Sequence, residues 1–229
     1  MKRSFIKRFG AYLLAAILVS ALAGCVSKEE PEPVTTSTGA PASGTTAEPT
    51  KPLGSSLSPP DALAQSMRAQ LEAKSYRVRI SSFSSTVQGE TLVEYVAPDR
   101  IHMTNPISEM IGVGSETYAR QGQGPWQKAP FNAGEIAATF RDPKLIEDLT
   151  TNYDIKFVGT DTLDGAPMMV YEYAPKATSP ASRSGKTKVW ISTEDSLPRK
   201  VETQGVNNTS VTTIIYSDYN SDIKIELPV

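Results

Sequence analysis

The sequence predicts a mainly β domain: an antiparallel sheet that curls around something, with one helix at its start and one helical segment near its middle. Three observations carry this. From Tyr76 onward apolar residues recur at every second position. Clusters of Gly, Pro, Asn and Asp break the chain at short intervals. An apolar stripe at helical spacing precedes the first strand, and a single further helical stretch interrupts the series.

The chain begins before that domain does. Lys2, Arg3, Lys7 and Arg8 precede an apolar run, and no acid appears until Glu29. Gly10 to Gly24 is 15 residues, short of the ~20 that span a bilayer as an ordinary helix. This is the charged region and apolar region of a secretory signal, predicted over residues 1–24. The run ends in Leu22-Ala23-Gly24-Cys25, which resembles the bacterial lipobox. The resemblance implies diacylglyceration of the Cys25 thiol, cleavage before it, and a lipidated N-terminus that holds the chain to a membrane. The alternatives are an uncleaved anchor helix or a buried structural cysteine. Cys25 is the only cysteine, so no disulfide is expected and stability rests on a core.

Residues 25–58 then read as a tether. Val26 to Ser58 lacks aromatics and is rich in Pro, Thr, Ser, Gly and Glu. Such a stretch buries too little apolar surface to offset chain entropy, so disorder is expected. As a coil it spans roughly 30 Å, and fully extended about 100 Å. It is either a spacer that lifts the domain off a membrane or a slack linker.

Residues 59–229 form one domain-sized unit. Ser58 is the expected N-cap of a helix with prolines at its entry and Leu63, Met67 and Leu71 on one face. "YRVRISSF" alternates Tyr76, Val78 and Ile80 with Arg77, Arg79 and Ser81. "ETLVEYVAPDRIHMT" gives two strands broken at Ala97-Pro98-Asp99. "ISEMIGVGSETYARQGQGPWQKAP" reads as strand, turn, strand, punctuated by Gly122, Gly124 and Pro125. The helical segment "NAGEIAATFRDPKLIEDLTTN" is interrupted at Pro143. "YDIKFVGTDTLDGAPMMVYEYAP" predicts a hairpin across Asp164-Gly165. Three or four more strands finish the chain: "TKVWIST", "LPRKVETQG", "SVTTIIYSDYN" and "IKIELP".

The domain carries 17 basic and 21 acidic residues with no basic block. That excludes nucleic acid as a partner and strong binding of anionic membranes by the domain itself. His102, the only histidine, faces opposite Ile101 and Met103 and reads as solvent-facing. No Gly-x-Ser-x-Gly elbow accompanies it, so an enzyme is not expected. One His and no free Cys argue against zinc, and no cofactor is expected. "GVGSE" and "GQGPW" lack phosphate-loop spacing, and the sequons at Asn207 and Asn208 read as coincidental.

In order and phrasing these pieces resemble the lipoprotein-carrier superfamily, LolA- and LolB-like and LppX- and LprG-like. The matching stretches are "SYRVRI", "LVEYVAPDRIHM", "ETYARQGQGPWQKAP", "FVGTDTLDGAPMMVYEYAP", "KVWISTEDSLPRKVE" and "IIYSDYNSDIKIELP". The resemblance implies an unclosed antiparallel β-barrel of about eleven strands with covering helices, whose apolar concave face holds acyl chains. The cavity candidates are Val78, Ile80, Val93, Tyr95, Ile101, Met103, Met169 and Tyr171. Parity on each strand is not fixed by sequence, and a slip of one residue inverts it. Met67, Met103, Met110, Met168 and Met169 suit a surface that adapts to varied chains, or simply core. Trp126 and Trp190, read on strands, either line a pocket or simply pack. The expected partners are a lipid or lipoprotein acyl chain and, through Cys25, the outer face of the cytoplasmic membrane or an outer membrane. The alternative is a structural or sensory envelope module of the same fold, with a filled core and a protein partner.

Overall fold

A computed structural model of the chain describes residues 57–84, 88–177, 185–205 and 210–228. Cys25, the signal segment and the tether through Ser56 lie outside the described residues, as do Asn207 and Asn208.

Eleven strands form one sheet. They are β1 (Ser75–Ser84), β2 (Gln88–Val96), β3 (Arg100–Thr104), β4 (Ser108–Val113), β5 (Glu116–Gln121) and β6 (Gln127–Lys128), then β7 (Tyr153–Leu163), β8 (Ala166–Pro175), β9 (Thr187–Ser192), β10 (Pro198–Gln204) and β11 (Ser210–Ser217). The spatial order is β6-β5-β4-β3-β2-β1-β11-β10-β9-β8-β7, every pairing is antiparallel, and β6 and β7 are unpaired edges. The sheet is a half-barrel rather than a closed one.

Among the described residues three helices accompany it: α1 (Pro59–Glu72), α2 (Ala133–Thr139) and α3 (Lys144–Asn152). The Ser58 hydroxyl caps α1 by accepting from the Asp61 amide at 3.3 Å, and prolines fill the first helical positions, where no N–H partner exists anyway. The α1 face turned to the sheet is not the expected stripe. Ala62, Leu63, Ala64 and Ser66 are buried, Met67 is half-buried, and Leu71 turns toward α3. Small residues let the helix lie close to the strands, while α3 packs alongside and Leu71 lines the cavity between the two helices.

The hairpin at Asp164-Gly165 forms as expected, with φ of 51° and 82°. A two-residue turn with both positions at positive φ matches the twist of its strands. The expected closing strand does not form. Residues 221–228 form no strand and pair with none in the sheet, although Ile223 and Ile225 are buried. Side chains hold this segment instead: Arg100 Nη1 donates to the Ile225 carbonyl at 2.7 Å, and the Ser75 hydroxyl to the Ser221 carbonyl at 2.5 Å.

Strand direction gives the sheet two rims. The connections β1–β2, β3–β4, β5–β6, β8–β9 and β10–β11 gather at the upper rim. The connections β2–β3, β4–β5, β7–β8 and β9–β10 gather at the lower one.

Candidate lipid-binding face

The register places all eight sequence-selected residues on one face. Val78 stands opposite Val93, Val93 opposite Met103, and Tyr95 opposite Ile101. Ile80 faces Ile214, which leads through Val201 and Val189 to Tyr171, and Met169 pairs with Ile191 on the same side. This is the inner face, because Ala62 and Leu63 of α1 pack on Tyr171, Val189 and Ile191. Burying Leu63 there contributes about 2 kcal/mol.

Two helices divide the face. α1 covers the β7–β10 side. α2 lies on the lower rows of β3–β5, where Gly112 lets it approach closely. A Cβ on Gly112 would stand 2.8 Å from the Ala133 Cβ and 3.1 Å from Ile101 Cγ2. The Thr117 hydroxyl, itself buried, accepts from the Ala133 amide at 2.9 Å and fixes the helix start. Tyr95, Met103, Val78 and Tyr171 are buried, whereas Ile80, Val93, Ile101 and Met169 are half-buried. Tyr76, Tyr95, Tyr216 and Tyr219 fill the lower end as one aromatic cluster, with Tyr76 centred 5.1 Å from Tyr95 and 5.6 Å from Tyr219. Burial pushes the Tyr216 and Tyr219 phenols far up from their ordinary value.

Toward the upper rim the chemistry changes. Tyr173, Thr187, Thr203, Thr212 and Ser82 sit opposite one another in sequence across β8, β9, β10, β11 and β1. The Thr187 and Thr203 hydroxyls are 3.1 Å apart, and those of Ser82 and Thr212 3.5 Å. One row below, the same strands present Tyr171, Val189, Val201, Ile214 and Ile80. The inner face thus grades from a hydroxyl band at the rim to hydrocarbon beneath it. Sequence reasoning missed the band. Each hydroxyl keeps the parity of its apolar neighbours, but only the register across five strands aligns them.

A separate cavity of about 660 Å³ lies between α1 and α3, lined by residues such as Pro60, Ala64, Arg68, Leu71, Pro143 and Ile146. None of the eight lines it.

The outer face holds most of the remaining singled-out residues. Trp190 packs with Met168 and Val170, donates from Nε1 to Asp161 at 2.8 Å, and carries Lys200 Nζ 4.3 Å from its ring centroid. Trp126 lies under the Arg120 guanidinium at 4.6 Å. Met103, Met110 and Met169 share the inner parity, and Met168 the outer. His102 is on the outer face but is not simply solvent-facing. Its Nδ1 is 3.1 Å from Glu94, its Nε2 is 2.8 Å from Glu109, and its side chain is 27% exposed. Arg77 pairs with Glu94 and Arg120 with Glu109, so the two carboxylates alternate with two arginines and His102 across five strands. The Thr104 hydroxyl is also 3.3 Å from Nε2, but the nearer carboxylate claims that nitrogen as a donor, which a general base for the hydroxyl would not be. Among the described residues no group of three or more His, Cys, Asp or Glu is placed to hold a metal ion.

Solved bacterial proteins share this fold. The chain is similar to the lipoprotein LppX of Mycobacterium tuberculosis at 14% identity and a TM-score of 0.57, covering 73% of this chain and 97% of that one. It is similar to LprF of Mycobacterium bovis at 12% identity and a TM-score of 0.54, covering 74% and 96% respectively. At such identities the likeness is one of fold. No family model matches the sequence, and no curated protein does.

Proposed function

We propose that this chain is an extracytoplasmic lipoprotein, anchored through Cys25, whose 59–229 domain shelters a lipid or lipoprotein acyl chain against its inner face for carriage in the cell envelope. The observation that carries the reading is the gradient on that face. An amphiphile is satisfied by hydroxyls at one end and hydrocarbon at the other, so its head sits near Thr203, Thr212 and Ser82 and its chain runs toward Ile80, Val93 and Met103. The fold shared with LppX, a lipoprotein by name, supports it. The role is non-catalytic, since His102 stands on the outer face between two carboxylates.

One observation favours the second reading, a module with a filled core and a protein partner: Val78, Tyr95, Met103 and Tyr171 are already buried by protein. Organic extraction and mass spectrometry of the chain purified from membranes separates the two. Ile80→Trp and Val93→Trp add carbon to half-buried positions. A carrier keeps its fold and loses uptake of a fluorescent lipid. A filled core takes up no lipid at all and loses about 1–3 kcal/mol with each substitution.

A further inference from the structure

The two most exposed large apolar side chains among the described residues are Ile107, at 65%, and Phe83, at 62%. They stand at the same rim. Phe83 is next to last in β1, opposite Gln88, and Ile107 sits in the 105–108 turn at the head of β4, its carbonyl accepting from the Gly122 amide at 3.0 Å. Three strand spacings, about 15 Å, separate the strands that carry them. Both stand at the upper rim, the end of the sheet at which the hydroxyl band lies.

The charge on the connections at that rim is one-sided, while the strand ends beside them carry the exposed acids Glu90 and Asp154. Among the described residues its connections carry Lys176 and Lys186 and no acid, whereas the lower-rim connections carry Asp99, Asp164, Glu194 and Asp195 and no base. Lys176 donates to the Thr151 carbonyl at 2.7 Å. Lys186 is 66% exposed and 4.0 Å from Glu172, which already pairs with Lys156 at 2.9 Å. The net acidity that argues against strong membrane binding is therefore unevenly spread over the connections, with lysines and bare hydrocarbon at one rim and four carboxylates at the other, where Lys74 before β1 is the nearest exposed base.

We infer that the upper rim docks on an anionic lipid surface, Phe83 and Ile107 entering the interface and Lys176 and Lys186 facing the headgroups, so that the hydroxyl band opens directly onto the bilayer. Apolar side chains flanked by lysines suit the headgroup boundary, and an acidic far end is repelled from it, which sets the orientation. Two lysines and two apolar tips bind weakly, and weak docking suffices for a tethered domain because the anchor supplies a high local concentration. The inference rests on the carrier reading for its purpose but not for its geometry.

Hydrogen exchange of the full chain tests it, with vesicles of phosphatidylglycerol and phosphatidylcholine, vesicles of phosphatidylcholine alone, and no vesicles. Anionic vesicles should slow exchange severalfold in residues 105–108 and 122–126 and leave 164–165 and 193–197 unchanged. Zwitterionic vesicles should have a smaller effect, and Ile107→Ser or Lys186→Glu should remove the slowing while leaving the β1 and β11 amides as protected as before. Equal slowing at both rims, no slowing at either, or protection without vesicles, which indicates a protein contact, would each overturn the docking. Extraction of bound lipid from the same preparation judges the carrier reading separately. Lipid bound without rim protection overturns the docking alone, and rim protection without bound lipid overturns carriage alone.

Discussion

The guanidinium of Arg141 lies over the ring of Tyr95, 4.7 Å from its centroid, while reaching the carbonyls that end α1. It bonds to the carbonyls of Gln70, Leu71 and Ala73. One side chain from the α2–α3 connection thus caps a helix and seals the lower end of the inner face. The last carbonyls of a helix lack internal partners and form its negative end, so a cation there is doubly favourable.

Arg141→Ala should therefore destabilise the domain by about 2–4 kcal/mol, combining charged hydrogen bonds and a partly buried cation–π contact. Arg141→Lys should recover less than half, because a point charge cannot both fork across three carbonyls and stack. Denaturant unfolding of both variants checks this, and equal stabilities would contradict it.

Gly112→Val should lift α2 from the sheet. Even a Cβ falls 2.8 Å from the Ala133 Cβ, and neither neighbour is the free end of a flexible chain. Overpacking of this kind costs roughly 1–3 kcal/mol. The Ala133 amide, normally bonded to the Thr117 hydroxyl, should exchange faster in the variant.

Acid should weaken the outer-face charge row. Partial burial raises the Glu94 carboxyl, but Arg77 and His102 outweigh it and hold it below its usual value of 4.5; Glu109 is lowered likewise by His102 and Arg120 against the same burial effect. Both carboxyls take up protons less readily folded than unfolded, so their stabilisation is complete above about pH 4.5 and disappears as the pH falls through the lower folded values. The double variant Glu94→Gln, Glu109→Gln should be less stable at neutral pH and lose less on going from about pH 5 to pH 3. Parallel stability curves for the two proteins would refute the assignment.

Cys25→Ser should abolish incorporation of a clickable fatty acid during growth, because Cys25 is the only thiol in the sequence. A labelled Cys25→Ser protein would remove the anchor from the proposed function.

The sheet was legible because alternation reports parity. Val78 and Ile80, Val93 and Tyr95, and Ile101 and Met103 each share a face, and pairing then had to bring those faces together. The same signal misled at Ile223 and Ile225, which alternate with Lys224 and Glu226 as a strand would. Periodicity tells which side is buried, not what the backbone bonds to, and here Arg100 and Ser75 take the place of a neighbouring strand. Arg141 gave no sign in sequence because its carbonyl partners are 68 to 71 residues away. The rim polarity was hidden for a related reason: a composition sum adds Lys186 to Asp164, although the sheet holds them at opposite ends.

The unpaired edges β6 and β7 change what sets the size of the interior. In a closed barrel the bore is dictated by strand number and stagger, and hydrogen bonds lock it. With two free lips no closure condition applies, so the curvature follows whatever the sheet wraps. Here that is α1 on one side and α2 on the other, wedged like a former inside a bent plate. A shift of either helix would reset the curvature of the whole sheet without breaking a single ladder bond.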